Sequence, residues 1–294
     1  MYAFILSQEL FFPVIRMCDV LSVSRSCYYA YRKQDEQAEC SVQKKIEAQV
    51  VEAFRLHKHR YGIRRLVPEL SDQGLKIGHY RVRRILHQNG LKAIQPRSFV
   101  PRTTDSRHPY PISPNRLKDR LPPSGIDQIW VGDITYIPLR EGSWCYLAVW
   151  MDLFSRRVIG WQLLHHMKEA LVLEAFQKAY SNRKADKGLI VHSDRGGQYA
   201  GNIFRRWLAR CHVLQSMSDT DNPYDNAFME SYFSRFKAEL LQDGSFENIE
   251  NARSEIFEYI EMYYNPIRRH SALGYISPMA FERKASYPQK AEAR

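Results

Sequence analysis

Three acidic residues stand where a carboxylate needs a reason to be. Asp133 interrupts an otherwise apolar strand-like run, IWVGDITYI, where a charge must be paired, ligated or turned to an exposed face. Asp194 closes a short buried strand, VHSD, and is followed by RGGQY. The carboxyl ends of strands commonly line sites in α/β folds. Glu230 falls in the first turn or two of a helix, AFMESYFSRFKAELL, at the edge of the stripe made by Met229, Tyr232, Phe233, Phe236 and Leu240. Lys237 lies seven residues on, two turns above Glu230 on the same edge, with Ser234 on that side. Such acids, flanked by glycine and polar residues, suit hard divalent cations. Magnesium takes oxygen ligands, keeps several waters and needs only one or two carboxylates per ion.

Other chemistries find no motif. HExxH, paired CxxC, GxSxG and the Gly-x4-Gly-Lys-Ser/Thr loop are all absent, which leaves zinc hydrolysis, serine nucleophiles and nucleotide hydrolysis unsupported. Asp152 precedes a turn, and Asp219, Asp221 and Asp225 sit in a polar loop, so these read as turn formers or helix caps. His57, His59, His165 and His166 lack the cysteine partners of a zinc site.

The elements that must position the acids follow from residue 124 on. IDQIWVGDITYIPL, CYLAVWMDLF and RVIGWQLL read as three strands of a meander. HMKEALVLEAFQKAYSNRK is an amphipathic helix, GLIVHSD a short strand, NIFRRWLARC a helix and 213–217 a strand. The loop SDTDNPYDN leads into the helix of Glu230, and a last helix covers about 248–264. This order implies an α/β domain with one mixed five-stranded sheet between helices, over 124–285, with a tail at 286–294.

Upstream, the chain is helical and basic. The net charge is +11, and 41–123 alone hold +12, from 18 Lys and Arg against 6 Asp and Glu. Residues 124–294 balance to zero. A localised basic excess is the footprint of a polyanion partner. Val14, Met17, Cys18 and Leu21 recur at helical spacing, and 22–24 offer a turn, so 1–40 reads as a helical hairpin or small helix-turn-helix. Residues 41–97 read as a helix over 41–57, a second on the stripe Ile63, Leu66 and Leu70, and a third after Gly78. Pro68 is placed near a first turn, Gly74 and Gly90 are helix ends, and Tyr80, Val82, Ile85 and Leu86 are core-facing. His79, Arg81, Arg83 and Arg84 on the third helix, with Arg64 and Arg65 on the second, suit recognition of DNA. The prolines of 98–123 prevent a regular helix and imply an extended basic linker able to lie along phosphates.

Composition narrows the class. The 44% hydrophobic content can fill a core. Five scattered cysteines, Cys18, Cys27, Cys40, Cys145 and Cys211, suggest free thiols in a reducing cytosol rather than a disulfide framework. MYAFILSQELFF lacks the features of a signal peptide, and no apolar stretch is long enough for a membrane span.

Thirty-five residues separate Asp194 from Glu230. That spacing, with VGDITYIP, VHSDRGGQY, YDNAFMESYFSRFKAEL and YYNPIRRHSALGYISPMAF, resembles the second-frame transposases of the large two-frame bacterial insertion-sequence family. Their catalytic core is the D,D-35-E, RNase H-like core of retroviral integrases. HRYGIRRLVPEL, HYRVRRIL and NGLKA resemble that family's helix-turn-helix domain. The likeness runs from about residue 2 to 282. It implies that Asp133, Asp194 and Glu230 are catalytic and hold two divalent cations, Mg2+ with Mn2+ able to substitute. It implies that Lys237 contacts DNA near the cleaved phosphate, while His192 and Gln198 flank the site. The implied partners are the element's terminal inverted repeats, target DNA, further copies of the chain, and the upstream-frame protein by fusion or binding. The implied location is the bacterial cytoplasm, at the nucleoid when acting. The loop SDTDNPYDN is more acidic than the family pattern leads one to expect. A nuclease of the same fold that only hydrolyses, and a DNA-binding regulator with an inert core, are the competing readings.

Overall fold

The computed structural model describes residues 1–96, 108–118, 120–219, 226–242 and 244–286, the side chains of 34–40 and 141 excepted. It forms two units, Met1–Ala93 and Ile94–Arg294.

The first unit is helical: α1 (Tyr2–Gln8), α2 (Val14–Val20), α3 (Arg25–Leu56), α4 (Ile63–Asp72) and α5 (His79–Gln88). Ile5, Met17, Cys18 and Tyr28 form a small core at the amino end, and the Tyr28 hydroxyl donates to Glu9 at 2.7 Å. The boundary expected between residues 40 and 41 falls inside α3, which runs unbroken for 32 residues. The stretch KQDEQAEC contains neither Gly nor Pro and is rich in helix formers, so nothing stops the helix there. The carboxyl half of α3 packs against α4 and α5. Val50, Ala53, Phe54, Leu66, Leu70, Val82, Ile85 and Leu86 are buried there.

Two local expectations need correction. Pro68 is the sixth residue of α4, inside the helix rather than at its first turn. Tyr80 is 79% exposed. At about 100° per residue it lies roughly 200° from Val82, nearly opposite the core stripe. Gly74 ends α4 with φ +88°, and Leu75 N–H reaches back to the Leu70 carbonyl at 2.8 Å, a closure that favours glycine.

The second unit holds a five-stranded sheet in the order β3-β2-β1-β4-β5. The strands are β1 (Ile129–Pro138), β2 (Trp144–Asp152), β3 (Val158–Leu164), β4 (Ile190–Ser193) and β5 (Leu214–Met217). The first three form the antiparallel meander, and β4 and β5 add in parallel, so the sheet is mixed. One face is covered by α9 (Ala227–Leu240) and α10 (Ile249–Phe257), through Met229, Tyr232, Phe236, Ala252 and Ile256. The other is covered by α6 (Glu169–Arg183), the single turn α7 (Gly197–Ala200) and α8 (Asn202–Arg210), through Leu171, Phe176, Tyr199 and Phe204. Buried Asn265 takes both backbone groups of Val158, accepting from its N–H at 3.0 Å and donating to its carbonyl at 2.9 Å.

Two features were not foreseen. A helix α11 (Pro278–Ser286) closes the described chain, and its Glu282 is held by Arg183 and Arg157, each at 2.7 Å. Residues 108–118, read as part of an extended linker, bond to β5. Ser113 donates to Gln215 Oε1 at 2.8 Å, and Arg116 N–H donates to Ser216 Oγ at 2.8 Å. The prolines exclude a helix, but they leave backbone and side-chain donors for the sheet edge. Residues 98–107 and the tail from 287 lie outside the described residues.

Candidate active site

β4 pairs with only the first part of β1, from Ile129 opposite Ile190 to Val131 opposite His192. Continued two residues further, the same register would set Asp194 opposite Asp133, but β4 has ended at Ser193. β1 continues, with Asp133 still paired to Val149 of β2. A cleft opens where β4 departs, lined by Asp133, Ile134, Met167, Asp194, Gly196, Gln198 and Tyr199. Strand alternation puts Asp133 on the face of Val131 and Ile137, the face that α9 covers.

Backbone donors fix both carboxylates. Asp133 Oδ1 accepts from Ile134 N–H at 2.8 Å, and Asp194 Oδ1 accepts from Gly196 N–H at 3.0 Å. Gly132 lets β1 pass over Trp150. A Cβ at Gly132 would stand 2.6 Å from that buried ring.

Burial pushes the Asp133 carboxyl well above its usual range. Asp194 adds to the rise, the Ile134 N–H opposes it, Glu230 adds a smaller push, and Lys237 opposes. Burial lowers Lys237, against the pull of Asp133. The three acids and the lysine therefore share one electrostatic neighbourhood. Asp133 and Asp194 are half-buried within it, while Glu230 is exposed on the first turn of α9.

The placement of α9 rests on its core stripe and on a buried ion pair. Arg268 Nε donates to Glu239 Oε2 at 2.8 Å, a second guanidinium nitrogen reaches Oε1, and the Tyr259 hydroxyl donates to Oε2 at 3.0 Å. Sequence reasoning missed this pair. Its only signal is Glu239 standing among the core residues of the helix. Tyr199 was missed as well. It is buried edge-on against Trp150 and lines the cleft, and among the described residues its hydroxyl has no hydrogen-bond partner.

The other expected residues divide. Gln198 lines the cleft and donates to the Met167 carbonyl at 3.0 Å. His192 is fully buried, with Nδ1 2.8 Å from Ser216 Oγ and Nε2 3.3 Å from Ser218 Oγ, so it braces β4 against β5 and is shielded from any solvent-borne ligand. In the first unit, Arg64, His79, Arg83 and Arg84 are exposed and Arg65 is half-buried. Arg81 is turned to Gln43 of α3. Asp152 is buried and accepts from Asp127 N–H at 2.8 Å and Ser155 N–H at 2.7 Å, as a turn former does. Asp219 lies 3.5 Å from Lys118 and 3.7 Å from Arg195. Asp221 and Asp225 lie outside the described residues.

Among the described residues no three His, Cys, Asp or Glu side chains converge on one ion. The donor set still suits a hard cation. Asp133 and Asp194 share a cleft, both offer oxygen donors, and their mutual repulsion calls for positive charge between them. No helix among the described residues is long and apolar enough to cross a membrane.

Residues 123–223 and 212–278 match the integrase core domain family, and 42–99 match an HTH-like domain. The chain is 39% identical over 285 residues to Transposase InsF for insertion sequence IS3A of Escherichia coli (strain K12), covering 96% of this chain and 98% of that protein. It is 38% identical over 243 residues to the transposase for insertion sequence element IS904 of Lactococcus lactis subsp. lactis (strain IL1403), over 82% and 95%. A chain of the simian T-cell lymphotropic virus intasome, solved in complex with PP2A regulatory subunit B56 gamma, aligns with TM-score 0.47 and 16% identity, over 78% of this chain and 74% of that one. The chain belongs to the IS3-type family of insertion-sequence transposases, with an HTH-like domain ahead of an integrase core domain.

Proposed function

We propose that this chain nicks DNA at the ends of an insertion sequence and joins the freed 3′-OH to another strand, with Asp133, Asp194 and Glu230 as its catalytic acids. The observation that carries this reading is the shared cleft of Asp133 on β1 and Asp194 just past β4, with Glu230 and Lys237 acting electrostatically on Asp133.

Asp133 and Asp194 would hold two divalent cations, Mg2+ or Mn2+, with Glu230 completing the set. Such a pair activates an attacking oxygen and stabilises a leaving one in an in-line displacement at phosphorus. The Ile134 and Gly196 N–H groups keep the two carboxylates in place without competing for the cleft. The Lys237 ammonium, half-buried on α9, offers a point charge for a phosphate at the site. When water attacks, the phosphodiester breaks to a 3′-OH and a 5′-phosphate. When that 3′-OH attacks, a new phosphodiester forms and the target strand releases a 3′-OH. The attacker is an oxygen in both steps, so one site serves both. His79, Arg83 and Arg84 of α5, with Arg64 and Arg65 of α4, would contact the terminal inverted repeats. Arg81 would act by fixing α5 to α3. The working form would be an oligomer on DNA, fused or bound to the upstream-frame protein, in the bacterial cytoplasm at the nucleoid.

The test is incubation with inverted-repeat DNA and Mg2+, followed by mapping of nicks and joints. Nicks at element ends with joined strands are expected. Efficient nicking without any joint would mark a nuclease, and binding without cleavage a regulator.

A further inference from the structure

We infer that the segment 108–116 is a positioning element for the loop that carries Asp194, with His108 as its principal residue. The inference rests on the reading that Asp194 is catalytic.

The segment 194–199 carries Gly196 and Gly197 in succession where Asp194 leads into α7, so the backbone at that junction has little stiffness of its own. Yet Gly196 must hold its N–H toward Asp194 Oδ1. The turn α7 closes on itself, with Tyr199 N–H reaching the Gly196 carbonyl at 3.0 Å, and a further restraint comes from outside. His108 Nε2 lies 2.8 Å from the Arg195 carbonyl, which can only accept, so Nε2 carries the hydrogen. The His108 ring also lies 3.4 Å from where a Cβ on Gly197 would stand, which leaves it packed over the glycine. Arg195 Nε donates to the Ser218 carbonyl at 2.6 Å.

The far end of the loop is tied through β5. Ser113 donates to Gln215 Oε1 at 2.8 Å, and Gln215 Nε2 donates to the Tyr199 carbonyl at 2.6 Å. Arg116 adds a bond to the Gln215 carbonyl at 3.1 Å and one to Ser216 Oγ at 2.8 Å. Ser216 Oγ in turn meets His192 Nδ1 at 2.8 Å, two residues before Asp194. The segment thus covers an edge strand and fastens both ends of the loop between them. A purely structural edge cover would need the bonds to β5 and not the bond to Arg195.

The experiment uses the full chain. His108→Ala and Ser113→Ala are compared with the wild type, with His108→Gln, which keeps an N–H donor, and with Leu121→Ser at a position 84% exposed. Two quantities are read: amide hydrogen exchange of 194–199 without metal, and the Mn2+ concentration for half-maximal nicking. Loss of one such hydrogen bond predicts a rise of about five-fold in that concentration for His108→Ala. Exchange in 194–199 should quicken, with affinity for the DNA end unchanged. His108→Gln should restore wild-type behaviour, and Leu121→Ser should match it throughout. If His108→Ala does not fold, Ser113→Ala decides by the same two readouts. Asp194→Asn is run alongside. Normal nicking by Asp194→Asn would remove the functional reading itself. An inactive Asp194→Asn with a His108→Ala indistinguishable from wild type in both readouts would overturn the positioning role alone.

Discussion

Asp133 lies on β1 and Asp194 stands one residue past the end of its parallel neighbour β4, so the fold brings two carboxylates into one cleft. This arrangement opposes folding when no cation is present. Burial, Asp194 and Glu230 all hold the Asp133 carboxyl above its ordinary value of 3.8. An acid whose folded pKa is raised is tolerated while neutral. The unfolded chain ionises it first, so stability falls as pH climbs from 3.8 toward the folded value, above which the loss is complete. We therefore expect Asp133→Asn to melt a few degrees above the wild type in chelator at pH 7, with the gap narrowing as pH falls. Added Mn2+ should stabilise the wild type and leave the variant unmoved. Equal melting temperatures in chelator across that range would contradict the electrostatic account.

Lys237 shares the neighbourhood of Asp133 but carries the opposite charge. Lys237→Ala should leave Mn2+ binding within about two-fold of wild type while lowering nicking and joining together by about ten-fold, the worth of one charged hydrogen bond. Calorimetric Mn2+ titration beside single-turnover cleavage separates the two effects. Loss of Mn2+ binding in step with cleavage would make Lys237 part of the cation site.

Gly132→Ala tests how tightly β1 is seated. The added methyl would meet the Trp150 ring at 2.6 Å, and the ring is boxed in by Phe176, Tyr199 and Phe204. Overpacking of this kind costs about 1–3 kcal/mol. Urea unfolding should show that loss, and cleavage should fall beyond it because Asp133 is the next residue. A variant as stable as the wild type would show that the strand can shift.

The basic face of α5 gives a salt-dependent prediction. Arg83→Ala and Arg84→Ala should each reduce the slope of log K against log salt by about 0.9, the value for one phosphate contact. Arg81→Ala should leave that slope unchanged, since Arg81 is bonded to Gln43. Tyr80, exposed at the start of α5, should lower affinity when changed to Ala without altering the slope. Fluorescence anisotropy with an inverted-repeat duplex across salt concentrations reads all four.

What the sequence revealed follows from where its signals are local. The order of the five strands' elements, the helix ends at Gly74 and Gly90, and the stripe of Met229, Tyr232 and Phe236 each depend on residues within a few positions. Tyr80 was misplaced because one aromatic side chain was counted into a stripe whose phase Val82, Ile85 and Leu86 had already set. The HTH-like match begins at 42, close to the expected 41, but the helix itself does not break there, because a change of charge does not end a helix. Asp133 and Asp194 stood out because a charge in or beside a buried strand is costly, and that cost is visible in one dimension. The pair Glu239–Arg268, Glu282 with Arg183, and His108 with the Arg195 carbonyl join residues 29, 99 and 87 positions apart. Nothing local announces such contacts, which only the folded chain brings together.

On this reading, one pair of carboxylates in one cleft serves both cutting and joining. The most direct measurement supplies a pre-nicked element end bearing a 3′-OH, with Mg2+ and a target duplex, to the chain together with the proposed upstream-frame partner. The wild type should yield a product in which the 3′ end is covalently joined to the target. Folded, DNA-binding Asp194→Asn should yield none. Joined product from Asp194→Asn at the wild-type rate, or nicking by the wild type with joints absent throughout, would contradict the account.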